Sequence, residues 1–491
     1  MPTTIRFAGY PSAFVFKEPD GNKAVQHLLW GDWLRLNTGR QGDFVEVHAR
    51  GVDGWMHKDD IRKDRLLEIT FVDIGQGDGC LVVTPDDKHI VIDAGQNDNM
   101  DRYLRWRYGG FAAPWEFEAA IISHPDQDHY GGFQDLFYEN NVTFGTVYHN
   151  GIVERTGKNS LGPRKKANGR SYLTGPVGSE DELKEFLSVE SRWKRKKYPT
   201  MLAFGINNGS FSKFRSLSTA DGFLPGYEDN RELSMQVLGP VVEPDDQSRA
   251  RLRWLGSVGK TKNGHSVVLR LKYHDVSVFL GGDLNIPSQE LLLRHHTGLN
   301  PRPKSIEQHH QLIGKARQSL QVDVAKACHH GSGDFLSSFL ECLNPAATVI
   351  SSGDDEPHSH PRADALGAIG LRSRGERPLI FSTELARSVK EAIKHPHVLR
   401  ERLKELRKGI EKAPTRTAQD RRRKVSLEKE FNKIVDSIER SVAVYGAIHL
   451  RSDGQRVVIA QKLERRRGST KWDIYRLEPD ATGSLSYISK H

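Results

Sequence analysis

The stretch AAIISHPDQDHYGG at residues 119–132 constrains the fold of this chain more than any other part of the sequence. A short apolar run leads into four potential metal ligands within six residues, namely His124, Asp126, Asp128 and His129. The run has the length and character of a buried strand, and the Gly131-Gly132 pair after it permits a sharp turn. Burying imidazoles and carboxylates without a cation is unfavourable by on the order of several kcal/mol per ion. The pattern therefore predicts a pair of divalent metals at the end of a buried strand, and the alternative is a solvated acidic loop with incidental histidines.

Length and composition indicate a soluble protein with about two to four domains. The chain has 491 residues, 37% of them hydrophobic, and a mean hydropathy of −0.58. It shows neither an apolar run of the ~20 residues that a membrane span requires nor an N-terminal secretory signal. Cys80, Cys328 and Cys342 are too few and too widely spaced for a disulfide framework. We therefore expect a cytoplasmic protein that makes no contact with the membrane.

Positive charge is concentrated in the C-terminal fifth of the chain. The net charge is +9, and residues 387–491 hold 26 Lys and Arg against 14 Asp and Glu, a net +12. Within 387–440, apolar residues recur at helical spacing around Leu403 and Phe431, and Pro414 separates the two runs. This pattern predicts a helical hairpin with a basic outer face, which favours a polyanionic partner, followed by a β extension to residue 491.

Residues 1–65 form a predicted small β-barrel. Short strand-like segments at 30–36, 44–49 and 54–57 are separated by Gly and Asp. The order GDWLRL, GDFVEV, GWMHKDDI resembles the bacterial Src-homology-three-like domain. That resemblance implies a docking module for a protein partner, a peptide or a glycan, and the alternative is a structural cap on the next domain.

Three further strands follow from Leu66, in LLEITFVDIGQGDGCLVVTP and HIVIDAG. The glycines between the first two could suggest a phosphate loop, but no Lys-Ser/Thr follows them and the next element is a strand. Asp93 comes at the end of the third strand, where a carboxylate can orient a metal ligand by hydrogen bonding to it.

The motifs FVDIGQGDGCLV, VIDAG, SHPDQDHYGGF, LGGDLN and ACHHGSGDF follow one another in the order found in the metallo-β-lactamase superfamily. More closely, they resemble the hydrolase domain of the ComEC DNA-uptake family. The resemblance covers about residues 66–386. It implies an α+β fold, a four-layered αββα sandwich with a dinuclear metal site at one edge of its two sheets.

The same resemblance implies a set of metal ligands. One ion would be bound by His124, Asp126 and His265. The other would be bound by Asp128, His129 and either His329 or His330, with Asp283 shared between the ions. A ligand set without cysteine suits zinc or manganese, and the aspartate at 126 tilts the choice towards manganese.

The expected nucleophile is a hydroxide bridging the two ions, which Asp126 or Asp128 could orient. Ser332 and the remaining histidine of the His329-His330 pair could contact a phosphate. His360, which precedes a proline near the end of the domain, is a candidate phosphate ligand or proton donor, or simply the start of a helix.

A polar stretch at residues 150–260 interrupts the motifs and carries the basic clusters RKK at 164–166 and RWKRKK at 192–197. We interpret it as an insertion over the site, either a lid or a substrate-binding face, and the alternative is a surface excursion without function.

Three functions are compatible with these features. The leading prediction is a metal-dependent phosphodiesterase, a nuclease acting on nucleic acid and on DNA in the first instance. The second is a hydrolase of a small phosphodiester or lactone, because this fold does not determine the substrate. The third is a binding protein with a vestigial metal site, which the near-complete ligand set argues against. Salt dependence separates the first two, since polyanion binding weakens steeply with salt.

Overall fold

A computed structural model describes residues 4–353, 358–384, 393 and 395–489. The N-terminal unit consists of seven strands, Thr4–Ala8 (β1), Ser12–Phe16 (β2), Ala24–Leu29 (β3), Trp33–Gln41 (β4), Phe44–Ala49 (β5), Val52–His57 (β6) and Ile61–Arg62 (β7), with a 3₁₀ turn at Lys58–Asp60. They form one sheet in the order β3-β2-β6-β5-β4-β1-β7. The end strands β3 and β7 do not pair, so the predicted small β-barrel is an open sheet. The physical reason is that β7 has only two residues and that Lys471 and Trp472 donate hydrogen bonds to His27 on β3.

The main domain begins with five strands and three helices. They are Leu67–Phe71 (β8), Gly79–Val83 (β9), His89–Ala94 (β10), Asn99–Arg107 (α1), Trp115–Ile121 (β11), Gln127–Tyr130 (α2), Phe133–Phe137 (α3) and Val142–His149 (β12). A 3₁₀ turn at Gly109–Phe111 connects α1 to β11.

The next segment holds both a separate small sheet and parts of the main domain. Its elements are Arg164–Ala167 (β13), Arg170–Thr174 (β14), Glu180–Leu187 (α4), Lys197–Asn208 (α5), Phe211–Ser216 (β15), Leu233–Gly239 (β16), Glu243–Pro244 (β17), Ala250–Arg253 (β18) and Val258–Gly264 (α6), with a 3₁₀ turn at Glu190–Arg192. Strands β13, β14, β18 and β17 form a separate four-stranded sheet. Strand β15 belongs to the ten-stranded main sheet, and β16 belongs to the six-stranded main sheet. The predicted insertion at 150–260 is therefore two excursions with main-sheet strands between them.

The remaining elements complete the main domain and the C-terminal extension. They are Val268–Tyr273 (β19), Val276–Leu280 (β20), Ile286–Thr297 (α7), Ile306–Leu320 (α8), Val324–Lys326 (β21), Ser337–Leu343 (α9), Ala347–Ile350 (β22), Ala363–Arg372 (α10), Leu379–Ser382 (β23), Pro396–Lys412 (α11), Ala418–Ile438 (α12), Val442–Tyr445 (α13), Ile448–Ser452 (β24), Val457–Arg467 (β25), Thr470–Pro479 (β26) and Leu485–Ile488 (β27), with a 3₁₀ turn at Cys328–Gly331. No helix in the described part of the chain combines the length and apolar character needed to cross a membrane.

Two sheets occupy the middle of the main domain. The first has ten strands in the order β15-β12-β11-β10-β9-β8-β24-β25-β26-β27, and the second has six in the order β16-β19-β20-β21-β22-β23. Between them lies an apolar core that includes Ile92, Ile121, Leu269 and Val278. Helices α1, α3 and α5 cover the first sheet and α7, α8 and α9 cover the second, through residues such as Leu104, Phe133, Leu202, Leu292, Ile313 and Phe339. The predicted αββα sandwich is confirmed.

Parallel strands bring the predicted ligands to one edge of the sandwich. Strands β10 and β11 run parallel, as do β20 and β21. Asp93 lies near the end of β10, and His124 follows β11. Asp283 follows β20, and the His329-His330 pair follows β21. Because the carboxyl ends of parallel strands share an edge, residues distant in sequence meet there.

The C-terminal extension packs against the main domain. Helices α11 and α12 form a hairpin whose buried side chains, among them Leu403 and Phe431, pack with Trp106 of α1. The predicted start of this region at residue 387 lies outside the described residues. Strand β24 pairs with β8, so the C-terminal strands extend the first main sheet.

Candidate metal centre

The loop after β11 is held against β10 by close backbone contacts. A Cβ on Gly132 would lie 2.2 Å from the carbonyl oxygen of Ala94, and a Cβ on Gly131 would lie 2.4 Å from that of Gln96. The N–H of Gly132 donates to the carbonyl of Gly95 at 2.9 Å. Only glycine permits this approach, which fixes the position of the short helix α2 and of the ligands at its start.

Asp283 lies at the centre of the cluster. Its Oδ2 is 3.3 Å from Nε2 of His129 and 3.9 Å from Nε2 of both His124 and His329. Its Oδ1 is 3.4 Å from Nε2 of His330. A single carboxylate is therefore within reach of four imidazoles, which suits a ligand shared by two ions.

The two aspartates of the loop flank this centre on different sides. Oδ2 of Asp126 lies 3.5 Å from Nε2 of His124, and Oδ2 of Asp128 lies 3.7 Å from Nε2 of His330. The described residues form four compact groups of potential ligands, among them one of His124, His129 and Asp283 and one of Asp128, His129 and His330. The structure thus brings together seven of the eight predicted ligands.

The His329-His330 pair occupies strained backbone. Both residues have positive φ, 51° and 54°, which non-glycine residues rarely adopt. This turn directs both imidazoles towards Asp283. His330 is buried and also approaches Asp128, whereas the side chain of His329 is 25% exposed. The geometry therefore favours His330 as the ligand of the ion next to Asp128.

Unpaired polar atoms in the cluster fit divalent cations. Nε2 of His124, His129 and His330 and Oδ1 of Asp283 are buried and make no hydrogen bond of good geometry within the described part of the chain. Buried polar atoms nearly always form hydrogen bonds, so several unpaired nitrogen and oxygen atoms directed at one centre indicate a missing ligand. Imidazole nitrogens and carboxylate oxygens are the donors that zinc and manganese accept.

Asp93 orients His129 by contacting Nδ1, the ring nitrogen that does not face Asp283. Its Oδ2 lies 2.8 Å from Nδ1 of His129, and its Oδ1 accepts a hydrogen bond from the backbone N–H of Ser123 at 2.7 Å. This arrangement leaves Nε2 of His129 directed at the cluster and fixes the ring tautomer.

Asp78 and Lys326 do the same for His330, and sequence reasoning missed both. Nδ1 of His330 lies 3.1 Å from the carbonyl oxygen of Ser351 and 3.2 Å from Oδ1 of Asp78, and the Lys326 ammonium contacts Oδ2 of Asp78. Two signals were present in the sequence: an aspartate enclosed in the Gly75-to-Gly79 turn, and a lysine in the apolar strand β21. A lysine buried in a strand requires a carboxylate partner.

The charges of the cluster are strongly coupled. Burial disfavours the charged form of His330, but the carboxylates of Asp283 and Asp78 outweigh it and raise the pKa of His330 to about 10. Burial likewise opposes ionisation of Asp78, yet Lys326 and His330 lower its pKa to about 2. Burial would raise the pKa of Asp283, but His330, His129 and His329 hold it well below its usual range. Asp78 and Asp283 are therefore ionised, and cation binding would displace protons from His129 and His330, whose pKa values the buried carboxylates raise.

His265 is the predicted ligand that the structure does not bring into the cluster. Its Nε2 faces the carbonyl oxygen of Arg253 at 2.7 Å, and burial lowers its pKa to about 4. Helix α6 instead directs Lys262 to Asp126, with the ammonium also 3.6 Å from Oε1 of Glu154. In the orientation that satisfies its hydrogen bonds, the Asn263 amide donates to Oδ2 of Asp126 at 2.8 Å.

Ser332 and His360 lie beside the histidine pair. The ring centroid of His360 is 5.7 Å from that of His329 and 6.2 Å from that of His330. The Ser332 hydroxyl accepts a hydrogen bond from the backbone N–H of Asp334 at 3.2 Å, which stabilises the loop after the histidines.

Comparisons with known proteins agree with this geometry. The family model of the metallo-beta-lactamase superfamily matches residues 78–325, about half of the chain. Among 28 solved chains that match, one is the crystal structure of Tm1679, described as a metal-dependent hydrolase of the beta-lactamase superfamily. It is 11% identical and covers 66% of this chain and 98% of its own, with a TM-score of 0.32. No curated protein matches the sequence. The family model shows that the chain belongs to the metallo-β-lactamase superfamily, as a metal-dependent hydrolase.

Proposed function

We propose that this chain is a phosphodiesterase that hydrolyses nucleic acid, with DNA as the first substrate to test. One observation carries the proposal: two lysines contact residues 122–132, the segment between β11 and α3, which we call the metal loop. The Lys262 ammonium contacts Asp126, and Nζ of Lys197 donates to Oε1 of Gln127 at 3.0 Å. Cations at the mouth of a site attract substrates with negative charge next to the scissile bond. A neutral lactone would gain nothing from them.

The cluster suits two ions of zinc or manganese. Asp128, His129 and His330 would hold one, His124 and Asp126 the other, and Asp283 would be shared. Bound divalent ions would acidify a water molecule and neutralise charge on the attacked phosphoryl oxygens.

The other residues act through position and charge. Asp93 and Asp78 keep the rings of His129 and His330 in place. A carboxylate oxygen of Asp126 or Asp128 that binds no ion accepts a hydrogen bond from the attacking water. Lys262 holds the carboxylate of Asp126 in place, and His360 is the candidate donor of a proton to the leaving oxygen.

Two finer assignments support this proposal without deciding it. The order of the motifs resembles ComEC-type hydrolases, which fits a DNA substrate. The N-terminal unit resembles a bacterial Src-homology-three-like domain, which fits a protein partner.

The test measures hydrolysis of labelled single- and double-stranded DNA with Mn²⁺, Zn²⁺ or Mg²⁺, beside a small aryl phosphodiester. Asp128→Ala should abolish DNA cleavage, because it removes a ligand facing His330. Asp135→Ala is the matched control, since this aspartate lies on α3 and pairs with Arg400 outside the cluster. Cleavage of the small ester alone would contradict the nucleic-acid proposal and support the small-molecule alternative.

A further inference from the structure

Three segments near the metal loop carry cations and no acidic residue. Residues 155–179 hold six Lys and Arg, residues 191–197 hold five and residues 247–264 hold five. We call these segments together the insertion face. Resting on the proposed function, we propose that the insertion face is the surface that binds the nucleic-acid strand, through its phosphates and independently of base sequence.

Backbone hydrogen bonds join the three segments into one surface. Tyr172 of β14 pairs with Arg253 of β18, so the first and third segments share a sheet. The N–H of Thr156 donates to the carbonyl of Arg192 at 2.8 Å, which attaches the second segment to the first. The guanidinium groups of Arg155 and Arg192 are close enough that, together with burial, they lower the pKa of Arg155.

The insertion face leads directly to the metal centre. Lys197 at the end of its second segment contacts Gln127, and Lys262 in its third contacts Asp126. Both partners belong to the loop that carries the predicted ligands. A strand lying on the insertion face would therefore present a phosphodiester to the centre.

Three exposed cations on β13 and β14 lack acidic partners among the described residues, whereas Arg253 of β18 pairs with Glu243 of β17. Lys165, Lys166 and Arg170 are exposed, and none forms an ion pair with a carboxylate of the described residues. On helix α11, by contrast, Arg402 and Arg407 pair with Glu430 and Glu139. Unpaired like charges at such density repel one another, and a polyanion relieves that repulsion.

The aromatic rings of the insertion face are already covered. The Arg164 guanidinium lies 4.3 Å from the ring centroid of Trp254, and that of Arg251 lies 4.0 Å from the ring centroid of Tyr172. Trp193 is partly buried and donates its indole N–H to the carbonyl of Leu187. Without an exposed ring on which bases can stack, contacts fall on phosphates, which carry no sequence information.

The experiment measures binding of short fluorescein-labelled oligonucleotides by anisotropy, in an Asp128→Ala background that does not cleave them. Lys165→Ala/Lys166→Ala should weaken binding about tenfold at low salt and reduce the slope of log affinity against log salt by about 2. Arg422→Ala/Arg423→Ala on α12 is the matched control, with the same charge loss on another exposed surface. It should weaken binding less than about threefold, and thermal unfolding verifies that both variants fold.

The outcomes separate this inference from the proposed function. Unchanged affinity and salt slope in the Lys165/Lys166 variant would overturn the binding role of the insertion face. DNA cleavage by the wild type would still support the nuclease. A strong preference among oligonucleotides of equal length would overturn binding through phosphates. If the wild type neither binds nor cleaves DNA yet hydrolyses the small ester, the proposed function itself is wrong.

Discussion

Lys326 supports the metal site in a way that the sequence did not predict. Its ammonium is buried beside Asp78, which in turn faces His330. Buried ions are tolerated when each has a partner, and removal of one partner leaves an uncompensated charge. The Lys326-Asp78 pair therefore couples the stability of the strand ends to the orientation of a metal ligand.

Lys326→Met should destabilise the protein by about 3–5 kcal/mol, because it removes the ammonium that compensates the buried Asp78 carboxylate. Metal affinity should fall about 10- to 100-fold, since Lys326 no longer holds Asp78 against the ring of His330. Thermal unfolding and metal titration measure the two effects. In Asp78→Asn/Lys326→Met most of the stability should return while metal affinity stays low. A stable single variant with normal affinity would contradict the coupling.

Gly132→Ala tests the close approach that fixes the metal loop. The added Cβ would meet the carbonyl oxygen of Ala94 at 2.2 Å, so the loop must shift. We expect a loss of about 1–3 kcal/mol in unfolding free energy together with weakened metal binding. Gly314→Ala in α8, where a new Cβ meets nothing within 4 Å, is the control and should be neutral or slightly stabilising. Equal behaviour of the two variants would show that the loop is not fixed in this way.

Among individual residues, those that stand together in one sequence motif were predicted, whereas those that reach the site from distant parts of the chain were missed. His124, Asp126, Asp128 and His129 stand in one short motif, so their density alone indicated a site. Lys262 approaches Asp126 only because α6 packs over the loop, and no local pattern reports that contact. His265 was placed by resemblance, whereas the helix end turns its ring to the backbone of β18.

Among elements, the hairpin of α11 and α12 is bound to the main domain by a compact apolar contact. Phe431 and Val435 pack against the turn after α1, where a Cβ on Gly110 would lie 2.8 Å from both side chains. Arg407 reaches the buried Glu139, which also pairs with Arg105. The hairpin is therefore a fixed part of the fold and not a separate arm.

Phe431→Ala should lower the unfolding free energy by about 3–5 kcal/mol, because it opens a cavity between α12 and α1. Val425→Ala on the same helix is the control, since its side chain is exposed. Chemical denaturation of both variants gives the comparison. A hairpin that tolerates Phe431→Ala as well as Val425→Ala would not be anchored by this contact.

The strand order explains which elements were predictable. Apolar runs identified strands β8, β9, β10 and β11 of the first main sheet, because burial imposes those patterns. The pairing of β24 with β8 joins segments nearly 380 residues apart, as the contact between Thr70 and His449 shows. Such pairings depend on the whole chain and leave no local mark. The same holds for β15, which lies within the predicted insertion yet belongs to the first main sheet.

At the scale of the whole molecule, buried charges attach the N-terminal unit to the main sheet. Asp32 accepts a hydrogen bond from Arg50 at 2.6 Å and lies 3.9 Å from Arg451. Arg451 of β24 also pairs with Glu68 of β8 at 2.7 Å. This network favours the structural-cap interpretation of residues 1–65, while a docking role for the same unit stays a prediction.

Asp32→Asn should reduce the acid dependence of stability. Burial alone would raise the pKa of Asp32, but Arg50 and Arg451 outweigh it and lower the pKa from 3.8 to about 2. The carboxylate therefore stabilises the fold above about pH 4, and this contribution is lost as the pH falls through 2. At pH 7 the variant should be about 2 kcal/mol less stable, and its unfolding free energy should fall less between pH 4 and 2. Asp59→Asn, at an exposed site, is the control.

The activity that we propose for the cluster around Asp283 is hydrolysis of phosphodiester bonds in nucleic acid. The most direct measurement is the rate of DNA cleavage by chelated protein as Mn²⁺ or Zn²⁺ is returned, for the wild type and Asp283→Asn at equal protein concentration. The wild type should be inactive when chelated and recover with metal, and Asp283→Asn should stay at least about 10³-fold slower, because both ions lose their shared ligand. Cleavage that survives chelation, or that Asp283→Asn retains, would contradict the account.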